Sequence, residues 1–123
     1  GQAGDLFVRV EVEPHPVFER DGHDLTLRLP VTLPEALRGA KVEVPTLDGT
    51  VKLQIPSGAQ NGQRMRLRGK GIAPRSGPAG DLYVVLELVA PRGGDEATRA
   101  RIAAELEALY DADPREELLR RAS

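Results

Sequence analysis

The chain contains no cysteine among its 123 residues, which excludes disulfide frameworks and thiolate metal sites. Aromatic residues make up only 3% of the sequence, so little is available for stacking on nucleic-acid bases or sugar rings. No apolar run approaches the roughly 18 residues that a membrane-spanning helix needs. The N-terminus also lacks the basic and apolar regions of a signal peptide. We therefore expect a cytoplasmic protein with no membrane association.

Side chains suited to catalysis or metal binding are scarce as well. The two histidines, His15 and His23, lie in turn-like sequence and in no metal-ligand spacing. The serines lie in loop-like sequence and not at a nucleophile elbow. The stretch 69–71, Gly-Lys-Gly, has the Gly-Lys pair of a phosphate-binding loop, but Arg64 stands where that loop needs its first glycine. We expect no enzymatic activity, no metal and no cofactor.

Alternation of apolar and polar residues is the main structural signal before residue 91. An apolar residue at every second position predicts a strand. Such runs occur at 6–12, 25–31, 42–44, 51–55, 65–67 and 82–89. Asp48-Gly49 between two of these runs is a strong hairpin signal, and Pro34 and Gly39 mark the ends of a short predicted helix. The pattern predicts a mainly β protein, a two-sheet β-sandwich with one short helix.

The sequence period changes after Pro91 to that of a helix. Apolar residues follow at positions that share one helical face. They are Ile102, Leu106, Leu109 and Tyr110. Asp95 is the predicted N-cap. Asp113-Pro114 predicts the start of a second short helix, which carries Leu118 and Leu119.

This apolar stripe has two interpretations, a helix folded back on its own domain or a contact with another molecule. The helix follows Gly93-Gly94, comes after the last strand signal, and is too short to be stable alone. These features favour the intermolecular contact. We predict homodimerisation through Ile102, Leu106, Leu109 and Tyr110.

A row of basic residues alternates along the strand around Met65. Arg64, Arg66 and Arg68 share one face of that strand, and Lys70 extends the row. Such a row is able to contact phosphates. The row also fits a solvated sheet face balanced by carboxylates, and the acidic isoelectric point and the few aromatic residues favour this second interpretation.

Five short motifs occur in a fixed order along the chain. They are PHPVFERDG at 14–22, VPTLDG at 44–49, IPSGAQNG at 55–62, LRGKG at 67–71 and GDLYV at 80–84. In these motifs the chain resembles the C-terminal region of DnaJ-type (J-domain) co-chaperones, over about residues 4–91. The tail segment DADPR at 111–115 is similar to the CbpA-like bacterial branch of that family.

The resemblance implies a domain arrangement. The family carries two similar β-rich C-terminal domains in tandem, and each closes on a GDL(F/Y)V strand. Since GDLFV also stands at 4–8, residues 1–13 are expected to be the last strand of a preceding domain I. Residues 14–91 are then C-terminal domain II, and 92–123 are a linker with dimerisation helices. We expect the strand Gly4–Glu13 to pair with an edge of its own domain or with a neighbouring molecule.

The resemblance also implies a function, that of a non-enzymatic chaperone module. It would support homodimerisation and the binding of unfolded client polypeptides for a DnaK-type chaperone. The family stimulates that partner through a His-Pro-Asp motif on a separate J-domain, whereas His15-Pro16 is followed here by Val17. Contact with the DnaK-type partner is therefore expected through other parts of the parent protein. The main client groove is expected on domain I.

A weaker client groove is expected in this chain as apolar strand surface near the helix at 34–38. The candidate residues are Val42, Val44, Leu53 and Ile55. The alternative function is a curved-DNA-binding module that uses the face formed by Arg64, Arg66 and Arg68.

Overall fold

The computed structural model describes residues 17–122, and the chain divides into two compact units, Gly1–Pro91 and Arg92–Ser123. The predicted strand Gly4–Glu13 lies outside the described residues, so its pairing stays a prediction. The first unit is mainly β, and the second is helical.

The β unit contains six strands and one short helix among its described residues. They are β1 Phe18–Asp21, β2 Asp24–Thr32, α1 Leu33–Arg38, β3 Ala40–Thr46, β4 Gly49–Ile55, β5 Arg64–Leu67 and β6 Leu82–Val89. One sheet has the order β1-β2-β6-β5, with β2 and β6 parallel, and the other is the hairpin β3-β4. The predicted mainly β, two-sheet architecture is confirmed.

The core lies between the two sheets because every second residue of the central strands points inward. From the four-stranded sheet, the buried positions are Phe18, Leu25, Leu27, Leu29, Val31, Leu82, Val84 and Leu86. Val44, Leu53 and Ile55 of the hairpin join the same apolar cluster. Burying each such side chain contributes about 1.5–3 kcal/mol, so this cluster is the main source of stability in the β unit.

Helix α1 begins and ends at identifiable caps. The Thr32 hydroxyl accepts the N–H of Glu35, and the Glu35 carboxylate accepts the N–H of Thr32, which is a complete capping box. Gly39 ends the helix with φ of 81°, a conformation that favours glycine. The predicted short helix is present and starts one residue before Pro34.

The motifs LRGKG at 67–71 and GDLYV at 80–84 meet where the long loop 68–81 returns to the sheet. The Gly71 N–H donates to the Gly80 carbonyl at 2.8 Å, and the Ile72 N–H donates to the His23 carbonyl at 2.8 Å. A Cβ on Gly80 would overlap the His23 carbonyl, and one on Gly71 would lie 2.5 Å from the same oxygen. Both positions therefore require glycine because the backbones approach closely. The φ angles of these two glycines are not in the left-handed region, so lack of space is the reason.

Asp81 joins the same two motifs through its side chain. One carboxylate oxygen accepts the Gly69 N–H at 2.8 Å, and the Asp81 N–H donates to the Asp24 carboxylate at 2.8 Å. The other Asp81 oxygen lies 3.6 Å from the Arg66 guanidinium. Leu82 follows directly and is fully buried. The Gly-Asp-Leu motif thus connects the start of β6 to the first residue of β2 and to the turn after β5.

The tail contains α2, Glu96–Glu107, and α3, Glu116–Ala122. Asp95 is the N-cap of α2 as predicted, and its carboxylate accepts the Thr98 N–H at 2.7 Å. The prediction that one helix runs through Tyr110 is wrong, because α2 ends at Glu107 and tighter turn bonds continue the chain (Leu109 N–H to Leu106 carbonyl, 3.0 Å). Within residues 17–122 no helix is long and apolar enough to cross a bilayer.

Acid should weaken α2 through its cap. The backbone N–H and then the side chain of Thr98 hydrogen-bond to the Asp95 carboxylate and hold the pKa of Asp95 below its ordinary value. A lowered folded-state pKa contributes stability above the unfolded pKa, and that stability is lost as pH falls through the folded value. We expect the helical circular dichroism signal to decrease below about pH 4.

The matched variant for this test is Asp95→Asn, which keeps a good N-cap without a titrating group. It should match the parent at neutral pH and lose less helical signal in acid. Asp95→Ala should have a weaker signal at neutral pH. Superimposable acid profiles for the parent and Asp95→Asn would show that the cap does not titrate as described.

Candidate functional site

The predicted client groove lies where α1 meets the open end of the hairpin. Ala40 at the start of β3 pairs with Ile55 at the end of β4. Gly39 approaches so closely that a Cβ there would lie 2.9 Å from the Ile55 carbonyl oxygen. The loop that follows β4 also binds α1, since the Gly58 N–H donates to the Ala36 carbonyl at 2.7 Å. The structure therefore brings the helix and the base of the hairpin together.

The four groove candidates share one face of the hairpin but differ in burial. Val42 pairs with Leu53, and Val44 pairs with Val51. Val44 and Ile55 are fully buried and Leu53 is 8% exposed, whereas Val42 is half-buried at the margin of the core. Of the four candidates Val42 alone is partly accessible, and the other three belong to the buried core.

Two exposed leucines of the β unit did not feature in the sequence prediction. Leu37 is 46% exposed on α1, and Leu47 is 50% exposed at the tip of the hairpin. Leu37 lies on a different side of α1 from its buried neighbour Ala36, because adjacent residues of a helix do not share a face. Leu37 adds apolar surface to the α1 end of the hairpin.

Two members of the predicted basic row, Arg64 and Arg66, lie on the outer face of the four-stranded sheet and already have partners. Arg64 stacks on the Tyr83 ring with its guanidinium carbon 4.5 Å from the ring centre. Arg66 faces Asp81 at 3.6 Å. Farther across the sheet Arg28 pairs with Glu87 at 3.2 Å. Arg68 and Lys70 follow in the turn after β5, where Arg68 is exposed and Lys70 is half-buried.

The predicted dimerisation residues all lie in the tail and are mostly exposed. The exposed fractions are 43% for Ile102, 59% for Leu109 and 68% for Tyr110, and Leu106 is half-buried. In α3, Leu118 and Leu119 are more than 60% exposed. Neither α2 nor α3 contains a buried residue. The tail therefore presents more apolar surface than the four predicted residues supply.

Residues 17–122 contain no group of three or more His, Asp or Glu side chains placed to hold a metal ion. His23 is exposed and accepts the Ile72 N–H through its backbone, and His15 lies outside the described residues. The sequence-predicted site residues that the structure describes lie at three places: the hairpin base, the β5 strand with the turn after it, and the tail.

Comparison with known proteins decides the family. The family model described as the DnaJ C terminal domain matches residues 1–91. The chain belongs to the DnaJ C-terminal domain family. Relatives include Chaperone protein DnaJ 2 of Cutibacterium acnes, 48% identical over 94% of this chain, and Chaperone protein DnaJ 1 of Streptomyces coelicolor, 47% identical over 99%. The Curved DNA-binding protein of Pseudomonas putida is 48% identical over 80% of the chain.

Membership of this family agrees with the resemblance seen in the sequence motifs. The relatives are named as DnaJ chaperones and curved DNA-binding proteins, and both branches were expected. This DnaJ-type chain spans about 30% of the length of these relatives.

Proposed function

We propose that this DnaJ-type chain is a non-enzymatic chaperone module that forms a homodimer and binds unfolded client polypeptides for a DnaK-type chaperone. Residues 14–91 would be C-terminal domain II, and 92–123 the linker and dimerisation helices. Contacts with the DnaK-type partner would use parts of a longer parent protein. The chaperone names of relatives that match 94–99% of the chain support this function.

The dimerisation proposal rests on the exposed apolar residues of the tail. Five of them, Ile102, Leu109, Tyr110, Leu118 and Leu119, are at least 43% exposed, and an unaccompanied helix of 12 residues is marginal in water. Packing against the same segment of a second chain would cover these side chains. A dimer also joins two client sites in one particle. Once one site has bound a client, binding of the same client by the second site is intramolecular.

The client proposal rests on the margin of the core beside α1. Half-buried Val42 and exposed Leu37 would contact an apolar client segment, and buried Val44, Leu53 and Ile55 would hold the hairpin in shape. An extended client has unpaired backbone groups that the edges of a two-stranded sheet can satisfy. The binding surface would then combine strand pairing with apolar contact.

Val42→Thr should weaken the binding of a labelled apolar peptide about fivefold or more, because a hydroxyl buried without a partner costs about 1–3 kcal/mol. Fluorescence anisotropy would measure the affinity, and a thermal melt would check that the variant is folded. Val51→Thr is the matched control, since Val51 is half-buried on the same face but lies toward the hairpin tip. Equal losses in both variants would show that binding depends on hairpin stability and not on a site at Val42.

Curved-DNA binding is the second candidate function, favoured by the 48% identity to the Curved DNA-binding protein of Pseudomonas putida. Phosphates would contact the row of Arg64, Arg66, Arg68 and Lys70. Contact with Arg66 would compete with Asp81, which lies 3.6 Å away. Each phosphate contact made by the row adds to the salt dependence of binding.

Replacing Arg64, Arg66 and Arg68 by serine tests this function. If the row binds DNA, affinity at low salt should fall and the log–log salt slope should decrease by about 2–3. A control with the same charge change replaces exposed Arg38, Arg92 and Arg101, which belong neither to β5 nor to the turn after it. Unchanged DNA retention by the first variant would exclude the row as the DNA surface.

A further inference from the structure

Asn61, the single asparagine of the chain, is followed directly by Gly62. In an Asn-Gly pair the backbone nitrogen of glycine can attack the side-chain amide carbon of asparagine, because glycine has no Cβ to hinder ring closure. Asn61 is exposed, so water has access to it. The pair is therefore a chemically reactive site in any conformation that frees the glycine nitrogen.

In the folded chain both reacting groups form hydrogen bonds to β6. The Gly62 N–H donates to the Leu86 carbonyl at 2.7 Å, and the Asn61 side-chain oxygen accepts the Leu88 N–H at 2.9 Å. The Leu86 N–H in turn donates to the Gln63 carbonyl at 2.9 Å. Since β5 pairs with β6 only as far as Val85, these bonds cover the part of the β6 edge that no strand covers.

A second set of bonds holds the loop itself in this position. The Gln63 side-chain oxygen accepts the Gln60 N–H at 3.1 Å, and the Gln63 N–H donates to the Gln60 carbonyl at 3.2 Å. Gly62 has φ of 84°, which is the left-handed conformation. Residues 60–63 therefore form a compact turn docked on β6.

We infer that Asn61-Gly62 is a spontaneous modification site that the fold holds closed, and that it reacts when residues 60–63 leave β6. The Gly62 nitrogen becomes a nucleophile only after losing its proton, and its hydrogen bond to Leu86 retains that proton. The Leu88 N–H polarises the Asn61 carbonyl, but this activation has no effect while the nucleophile is bound. Opening of the loop is thus the controlling step.

The reaction needs only water and base. Base removes the Gly62 N–H proton, the nitrogen forms a bond to the Asn61 side-chain carbonyl carbon, and the amide nitrogen leaves as ammonia with a proton from water. Water then opens the cyclic imide at either carbonyl. One opening gives aspartate, and the other gives isoaspartate, in which the main chain runs through the former side chain.

The two products differ in what they do to the β6 edge. Aspartate at position 61 still accepts the Leu88 N–H through a carboxylate oxygen. In isoaspartate the former side-chain carbonyl and the Gly62 N–H belong to one peptide group, and in a trans peptide these two groups point in opposite directions. The bonds to Leu88 and Leu86, which lie on the same edge of β6, therefore cannot both be kept. The isoaspartate product should leave the loop detached and the end of β6 unpaired.

The test is to incubate the full chain at mildly alkaline pH with and without a denaturing urea concentration. The tryptic peptide 53–64 contains Asn61, and mass spectrometry reports conversion of its amide to an acid. We expect conversion in the native chain to be at least about tenfold slower than in the unfolded chain. Equal rates, or no conversion of the unfolded chain, would overturn the inference.

Two variants test the role of the loop bonds. Gln63→Ala removes the side-chain bond to Gln60 and should accelerate conversion in the native chain, whereas Gln54→Ala, on exposed β4 surface, should not. Asn61→Asp should melt close to the parent, and the isolated isoaspartate form should melt lower. Equal acceleration by both glutamine variants, or equal melting of the two acid forms, would contradict control by this loop.

Discussion

Gly80→Ala should destabilise the β unit by at least about 3 kcal/mol, the largest stability effect expected from a single methyl group in this chain. The added Cβ would overlap the His23 carbonyl and lie 2.8 Å from the Asp24 carboxylate. Relief requires the loop to move away from β2, which breaks the Gly71–Gly80 and Ile72–His23 hydrogen bonds. About 1 kcal/mol shifts the melting midpoint of a domain this size by about 4–8 °C. The midpoint of Gly80→Ala should therefore lie at least about 12 °C below that of the parent.

Gly93→Ala is the matched control, because a Cβ there meets nothing within 4 Å and its φ is not in the left-handed region. It should leave the melting temperature unchanged. If Gly80→Ala is too unstable to give a folded baseline in the thermal melt, urea titration of both variants in the cold measures the loss. A Gly80→Ala midpoint within about 2 °C of the parent would show that the loop yields without cost.

Ile102→Ala with Leu106→Ala should convert the proposed dimer into a monomer. The two residues stand four apart on α2 and share a face, and alanine preserves helix propensity. Each truncation removes about 1–2 kcal/mol of apolar burial, and a dimer loses four such contributions. The dimer Kd should therefore rise by at least about a thousandfold.

Analytical ultracentrifugation over a concentration series would measure this change. Leu37→Ala with Leu47→Ala is the control, because it removes two leucines of similar exposure from the β unit. It should leave the Kd unchanged. A double α2 variant that sediments like the parent would place the dimer contact elsewhere.

Much of the fold follows from the sequence because its signals are local. The two-residue period predicts the strands from β2 onward. Asp48-Gly49 places the hairpin turn to within one residue, because Thr46 pairs with Gly49 and the two-residue loop is Leu47-Asp48. Proline and glycine located α1. A residue period reports which side chains share a face, so these elements could be assigned one at a time.

The order of strands in the sheet could not be predicted in this way. The parallel pairing of β2 with β6 joins Leu25 to Leu82 across more than fifty residues, and alternation says nothing about partners. The close approach of Gly80 to His23 depends on that pairing, so it too became visible only in three dimensions. The GDLYV and LRGKG motifs meet here, because Gly80 of the first and Gly71 of the second both approach the His23 carbonyl.

The sequence pattern also does not tell which face of a strand is exposed. Val44 and Ile55 alternate as exposed groove residues would, yet they are fully buried, because period alone does not distinguish a core face from a binding face. The end of α2 was missed since Leu109 and Tyr110 continue the helical spacing beyond Glu107. The repeated Gly-Asp-Leu at 4–6 remains a prediction of a closing strand from a preceding domain.

The central claim is that residues 92–123 are a dimerisation segment attached to a separately folded β unit. Light scattering on the full chain and on a version ending at Pro91 tests it most directly. We predict a mass of two chains for the full protein, and a folded monomer for the shortened version. A shortened version that is as fully dimeric as the parent would contradict the claim.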